Sequence, residues 1–317
     1  MSHPVTLSDI EAARARIASH VRRTPLTRSE TLSHRLGTNV YLKAEVFQKT
    51  GSFKVRGAFN KMLSVGTAVR ERGVVAMSGG NHAQAVAYAA RELGARALVF
   101  MPASTPRNYV DATRGYGAEV AFVDTSLEGL DAMEDYGGRG WVAVHPFDDP
   151  LVMAGQGTAG LEIIDDLPDV TDVVVSIGGG GLIGGVATAV KSRRPGVRVW
   201  GVETEGADCM AQALAAGHPV TLSAITSIAR TLGAPAASTT TLALARQYLE
   251  SVTVVSDAEA LSALRLLLER AKILTEPAAS CTLAAAERLR DEFGPDRHVV
   301  LFLCGGNVAL DDLCRLA

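Results

Sequence analysis

The sequence predicts an α/β protein with two mostly parallel, twisted sheets flanked by helices. Three observations carry that prediction. At 317 residues the chain is long enough for about two domains, each with its own core. Short β-branched or apolar runs alternate with stretches of helical periodicity, the pattern of parallel strands covered on both faces by helices. The alternation comes in two series. Between them stands Pro146-Phe147-Asp148-Asp149-Pro150, which reads as a connection between two sheets.

The elements follow in chain order. Ser8 and Glu11 have capping-box spacing and predict a helix start. Residues 40–42 read as a short strand. In the first regular series, residues 74–76, 97–100, 119–123 and 141–144 read as strands. Ala83, Val86, Ala87 and Ala90 fall at helical spacing after the first of these. In the second series the strands are residues 173–175, 197–202, 252–255 and 299–303, and Ser256 with Glu259 predicts a further capped helix.

Composition excludes several classes. The chain is 47% hydrophobic and 21% charged, with a formal net charge of −3. No basic block suggests a nucleic-acid surface, and no apolar run is long enough to span a membrane. The N-terminal stretch carries acidic residues and lacks a hydrophobic signal core, so a cytoplasmic protein is expected. Cys209, Cys281, Cys304 and Cys314 show no paired spacing. A structural zinc site is therefore not expected, and the thiols should be free.

Three clusters carry chemistry. The first is the loop Ser176-Ile177-Gly178-Gly179-Gly180-Gly181-Leu182, between a strand and an apolar helix. Its glycines let backbone amides approach a ligand, and a helix start adds unpaired N–H donors, so the loop suits a phosphate. Gly179, Gly181 and Gly184, with Glu203 further on, also satisfy dinucleotide spacing. An NAD-dependent dehydrogenase is thus a competing reading. The second is Ser78-Gly79-Gly80-Asn81-His82, which places free amides at another helix start, suited to a carboxylate. A plain helix cap explains it equally well. The third is Cys304-Gly305-Gly306-Asn307, at a strand's carboxyl end, where ligands of parallel sheets sit. Lys54, between Phe53 and Val55, follows a Gly-Ser turn. Burial and a helix start would both lower its pKa, as Schiff-base chemistry needs.

Together the segments SFKVRGAFN, SGGNHAQAVAYAA, HPFDDP, AGQGTAGLEI, GGGGLIGG, GVETEGADC, LTEPAAS and LCGGNVAL resemble the fold-type II pyridoxal-phosphate enzymes, a fold similar to tryptophan synthase β. The resemblance is to the threonine/serine dehydratase and serine racemase branch, in the family's order over nearly the whole chain. It implies that Lys54 holds pyridoxal 5′-phosphate as a Schiff base and, once freed, removes the substrate α-proton. Phe53 packs beside the cofactor. Asn81 bonds its 3′ oxygen. Gly178, Gly179, Gly180, Gly181 and Leu182 hold its phosphate. Cys304 faces its pyridine nitrogen, and Glu276 lies near its ring. Ser78 and Gly79, with the amides of Asn81 and His82, hold the substrate carboxylate. The implied domains are residues 1–50 with 149–317, holding the cofactor, and 51–148 on the substrate side. The implied reaction is dehydration and deamination of L-threonine or L-serine to a 2-oxo acid and ammonia, by a homodimer or homotetramer.

Three departures from the family pattern narrow the expectation. Gly79 stands where racemases carry a second serine, which favours elimination over racemisation. The family's divalent-cation positions are Glu203, Ala207 and Cys209, and cysteine is a poor ligand for a hard cation, so a metal there is doubtful. Residues 226–233 depart from the family's usual stretch, which leaves a larger β-hydroxy amino acid, such as hydroxyaspartate or phenylserine, as an alternative substrate. The chain ends soon after LCGGNVAL, so no C-terminal regulatory domain is expected.

Overall fold

A computed structural model describes residues 5–309 and 312–314. Leu310, the last residue of the LCGGNVAL segment, lies outside them. The strands are β1 (Leu26–Arg28), β2 (Asn39–Ala44), β3 (Val74–Met77), β4 (Ala97–Pro102), β5 (Glu119–Val123), β6 (Val142–Ala143), β7 (Asp172–Ser176), β8 (Arg198–Thr204), β9 (Leu249–Val255) and β10 (His298–Leu303). They form a six-stranded sheet in the order β1-β2-β10-β7-β8-β9 and a four-stranded sheet in the order β5-β4-β3-β6. All strand pairs are parallel except β1 with β2.

Every strand expected from the sequence forms, and β1 is an addition. It is three residues long, largely exposed, and antiparallel at the sheet edge, so it has no apolar run to announce it. The first helix is Leu7–Ile17, capped by Thr6 and Asp9 rather than by Ser8 and Glu11. The earlier box wins because Val5 and Ile10 then bracket the cap and bury together in one apolar cluster, a hydrophobic staple. The box at Ser256 and Glu259 forms as expected. No described helix is long and apolar enough to cross a membrane.

Strands β7 and β10 are adjacent, parallel and almost wholly buried. Their carboxyl ends therefore lie side by side, and so do the glycine loop after β7 and Cys304 after β10. Strand β3 of the other sheet ends at Met77, just before Ser78. The three clusters read from the sequence thus all emerge from strand carboxyl ends.

Between the sheets, three helices meet at van der Waals distance of their backbones. The central one, Pro150–Asp166, is the AGQGTAG segment. A Cβ on its Gly155 would lie 2.6 Å from the Arg56 carbonyl oxygen, in helix Lys54–Ser64. A Cβ on its Gly157 would lie 2.8 Å from the Gly185 carbonyl oxygen, in helix Gly181–Arg193. Two of these helices, Lys54–Ser64 and Pro150–Asp166, share a buried charge cluster with Lys43 and Glu45. Arg56 donates to Glu45 (2.8 Å) and Glu162 (2.7 Å), and Lys43 donates to Glu162 (2.5 Å). Burial alone would raise the Glu162 pKa, but Arg56 and Lys43 outweigh it and lower it. Glu162 therefore stabilises the fold above the unfolded carboxyl pKa, and that contribution is lost as pH falls through its depressed folded value.

Backbone contacts of this kind cannot relax by rotamer change. Gly155→Ala is expected to cost about 1–3 kcal/mol of stability, the usual range for overpacking. Gly115→Ala, whose Cβ meets nothing within 4 Å, is the control. Urea denaturation of both variants checks the difference.

Candidate active site

Lys54 opens its helix without a side-chain cap. The chain before it is tied down by main-chain bonds to the end of β10. Phe53 N–H donates to the Cys304 carbonyl at 3.0 Å, and Gly306 N–H to the Gly51 carbonyl at 3.0 Å. Lys54 Nζ donates to the Pro146 carbonyl at 2.6 Å. It also lies 5.3 Å from the Phe53 ring centroid. Removal from water lowers its pKa to about 8, against the opposing pull of Cys304 and Glu276.

Lys54 lines a cleft of about 540 Å³ that also takes in Phe53, Ser78, Asn81, the glycine loop, Glu276 and Cys304. Every residue expected at a cofactor or substrate site lines this one cleft, Gly79, His82 and Leu182 included. Glu203 and Ala207 do not. Both Glu203 carboxylate oxygens accept backbone amides, from Met210 at 2.8 Å and Ala211 at 2.7 Å, which caps helix Cys209–Ala216. Burial still pushes the Glu203 pKa up to about 8. Glu203 is wholly buried and outside the cleft, so it is not placed to bind the ribose hydroxyls of a dinucleotide there.

Asn81 is held from two sides. Its Nδ2 donates to Glu276 Oε1 at 2.7 Å, and its Oδ1 accepts from Asn307 Nδ2 at 2.7 Å. Glu276 Oε1 also accepts from the Thr231 hydroxyl at 3.0 Å. Burial raises the Glu276 pKa to about 7, although its hydrogen bonds favour the charge. Burial also pushes the Cys304 thiol well up, so the thiol stays neutral. His82 contributes its ring to packing. One ring nitrogen pairs with the Val144 carbonyl at 2.8 Å, and burial lowers its pKa to about 3, so it is uncharged at neutral pH.

The glycines of the loop are required by close approach. A Cβ on Gly181 would lie 2.7 Å from the Phe147 backbone, one on Gly178 would lie 3.0 Å from the Leu232 carbonyl, and one on Gly179 would collide with the Phe147 ring. Among the described residues, no backbone carbonyl accepts from the amides of Gly178, Gly179 or Gly180. The first amides of the following helix have no intrahelical partner either. Two buried side-chain atoms lining the same cleft, Ser176 Oγ and Glu276 Oε2, are without hydrogen-bond partners. A cleft with unpaired donors at a helix start, a neutralisable lysine and unpaired buried polar atoms fits an anionic, polar aromatic ligand such as a phosphorylated pyridine aldehyde.

Ser78 Oγ accepts from Gly80 N–H at 3.0 Å. A Cβ on Gly79 would lie 2.7 Å from Thr105 Oγ1, a buried hydroxyl without a partner. Thr105 thus occupies the space that a side chain at residue 79 would need. Sequence reasoning assigns no role to Thr105, Tyr109, Thr231, Asn307 or the Pro146 carbonyl. Asn307 is visible as the residue closing a Gly-Gly turn, whereas Thr105 and Tyr109 carry no sequence signal.

Residues 17–305 match the family described as pyridoxal-phosphate dependent enzyme. The chain is 43% identical over 312 residues to an L-threonine ammonia-lyase of Geobacter sulfurreducens, covering 96% of this chain and 76% of that protein. Among solved structures it resembles maize serine racemase, with a TM-score of 0.92 and 34% identity over 99% of this chain and 97% of that one. It also resembles the processed form of threonine deaminase isoform 2 from Solanum lycopersicum, with a TM-score of 0.89 and 32% identity over 99% of this chain and 89% of that one.

The lowered Lys54 pKa yields a direct expectation. The free amine is the nucleophile, so apoprotein should take up pyridoxal phosphate faster as pH rises, with a midpoint near 8 rather than in the usual lysine range. The rate at which the visible band of the bound cofactor appears checks this, and Lys54→Ala should abolish the band.

Proposed function

The chain belongs to the pyridoxal-phosphate dependent enzymes, and from that premise we propose that it eliminates water from L-threonine or L-serine and that hydrolysis of the resulting imine takes up one water and releases ammonia and a 2-oxo acid. The observation that carries the proposal is Lys54. It is removed from water, has its pKa lowered to about 8, and shares one cleft with Asn81, Glu276, Cys304 and an amide-lined glycine loop.

Pyridoxal phosphate, when bound through Lys54, supplies the electron sink that makes the substrate α-proton removable. The protein's own residues do the rest. The amides of Gly178, Gly179, Gly180, Gly181 and Leu182 hold the phosphate. Asn81, whose amide is held by Glu276, would donate to the 3′ oxygen. Cys304, neutral by burial, would stand at the ring nitrogen and would give it no counter-charge, so the ring would supply a weak electron sink. Ser78, Gly79 and the amides of Asn81 and His82 hold the substrate carboxylate. Lys54 Nζ, as the free amine, would take the α-proton as general base, a role for which a pKa near 8 is well matched. Glu276, with its pKa raised to about 7, lies beside Asn81 and holds or yields a proton near neutrality.

Elimination is preferred over racemisation because an opposite-face acid is missing at Gly79, and Thr105 fills the space where its side chain would sit. We also propose the domain division at residues 51 and 148. Its support is that the glycine loop and Cys304 follow strands of the six-stranded sheet, while Ser78 follows one of the four-stranded sheet. Assembly as a homodimer or homotetramer, and work in the cytoplasm, are proposed on the family resemblance alone.

A second substrate reading rests on Arg230. It lines the cleft and is exposed, and its guanidinium has no hydrogen-bond or ion-pair partner among the described residues. A guanidinium so placed suits a substrate with a second carboxylate, such as β-hydroxyaspartate.

A 2-oxo-acid assay across L-threonine, L-serine, hydroxyaspartate and phenylserine tests both readings. The primary reading expects highest kcat/KM on threonine or serine, with less than about a threefold effect of Arg230→Gln. The second expects hydroxyaspartate to lead and to lose about tenfold or more in that variant, the size of a lost charge-assisted contact. No 2-oxo acid from any of the four would overturn the elimination itself.

A further inference from the structure

Asn307 has no part in the reaction as derived above, yet its contacts tie together three separate segments around the site. It follows β10 by a Gly-Gly turn, in the six-stranded half. Its Nδ2 gives one hydrogen to the Thr50 carbonyl at 2.7 Å and the other to Asn81 Oδ1 at 2.7 Å. Its own carbonyl accepts from the Tyr109 hydroxyl, which comes from helix Arg107–Gly115 beside the four-stranded sheet.

Each contact has a consequence. The bond to Asn81 decides which way that amide faces. A carboxamide whose oxygen is taken by a donor must turn its NH2 the other way, toward Glu276 and the cleft. Without Asn307, the two orientations of Asn81 would differ only by the bond to Glu276, whose carboxyl near neutrality is able to accept or donate. The bond to Thr50 holds a strained turn. Thr50 has φ 63° and Gly51 φ 71°, and a β-branched residue in that region needs an external restraint. A Cβ on Gly51 would come 2.5 Å from Asn307 Oδ1, so the side chain is packed onto the turn as well as bonded to it. Lys54 begins its helix three residues later.

We propose that Asn307 is a positioning residue which fixes the amide of Asn81 toward the cofactor's 3′ oxygen and holds the Thr50-Gly51 turn that aims Lys54. The inference rests on the cofactor reading given above.

The test uses the pyridoxal-phosphate-loaded protein and follows its visible absorption against pH, because a hydrogen bond to the 3′ oxygen sets the proton equilibrium that the band reports. Asn307→Asp replaces both donors with acceptors at unchanged size, and Asn307→Ala removes them without adding charge. Both are expected to move the titration midpoint by about one pH unit, roughly the effect of one lost hydrogen bond to a charged oxygen. Both should also lower kcat about tenfold or more while KM for L-threonine changes less than about threefold. Wild-type titration and kcat in both variants would overturn the proposal. If Asn307→Asp fails to fold, Asn307→Ala decides. If Asn307→Ala fails to fold too, the residue determines the fold rather than Asn81, and the proposal is overturned. Asn81→Ala separates the two levels: a wild-type titration there refutes the role of Asn81, whereas a shift there with none at Asn307 refutes only the present inference.

Discussion

The site depends on a backbone contact between helices. Helix Lys54–Ser64 lies against helix Pro150–Asp166 so closely that Gly155 has no room for a Cβ beside Arg56 and Gly57. This contact fixes the depth at which the lysine enters the cleft. The charge cluster of Arg56, Glu45, Glu162 and Lys43 fixes rotation about it, since Arg56 is on the same helix and is wholly buried. Two cations and two carboxylates offset one another there, and removing any one leaves a buried charge without its partner, which typically costs roughly 3–5 kcal/mol. Such a cluster need not add stability over an apolar core. What it does is make every other packing of the helix worse, because any rotation would strand a charge. Precision at Lys54 is therefore set two residues away, on the opposite face of its helix.

Burial is the common cause of the site's electrostatics. It lowers Lys54 to about 8 and His82 to about 3, raises Glu276 to about 7, and keeps the Cys304 thiol protonated. The result is a cleft floor in which Lys54 and Glu276 change charge within about one pH unit of neutrality while His82 and Cys304 stay uncharged. That suits proton transfer at carbon, where the base must be free to accept a proton and later to return it. It also agrees with the proposed phosphate site at the glycine loop. A cationic side chain there would add a fixed charge beside these titrating groups, whereas amides at a helix start bind an anion without one.

Much of this was legible in the sequence because it is local. Short buried strands, the glycine loop and the Ser78–Asn81 turn each lie within a few residues, and strand carboxyl ends tell where ligands sit. What was not legible is set by distant contacts. The N-terminal cap moved from Ser8 to Thr6 because Val5 and Ile10 bury together. Strand β1 formed because β2 offered an edge, not because its own three residues favour it. The role of Glu203 was decided by two amides that approach it from the following helix. Thr105 came to fill the space beside Gly79 through the packing of β4's following turn, far from Gly79 in sequence. The reading of Gly79 as a missing acid was available from the residue itself. The neighbour that closes the gap was not.

The wall of the cleft formed by residues 226–233 has a different logic from the floor that carries Lys54 and the glycine loop. Gly178 in the glycine loop packs against Leu232, and Gly80 in the Ser78–Asn81 turn packs against Thr231. Two adjacent residues of one segment therefore touch both ends of the site, and Thr231 also bonds Glu276. The segment itself is anchored outside the cleft, where Ser227 Oγ donates to Asp257 at 2.6 Å and the Ile228 amide donates to the same carboxylate at 3.1 Å. Its backbone position is thus fixed by Asp257, Gly80 and Gly178, while the side chain of Arg230 is left exposed. A wall built this way can change what it offers the cleft at residue 230 without moving the contacts made by Gly178 and Gly80.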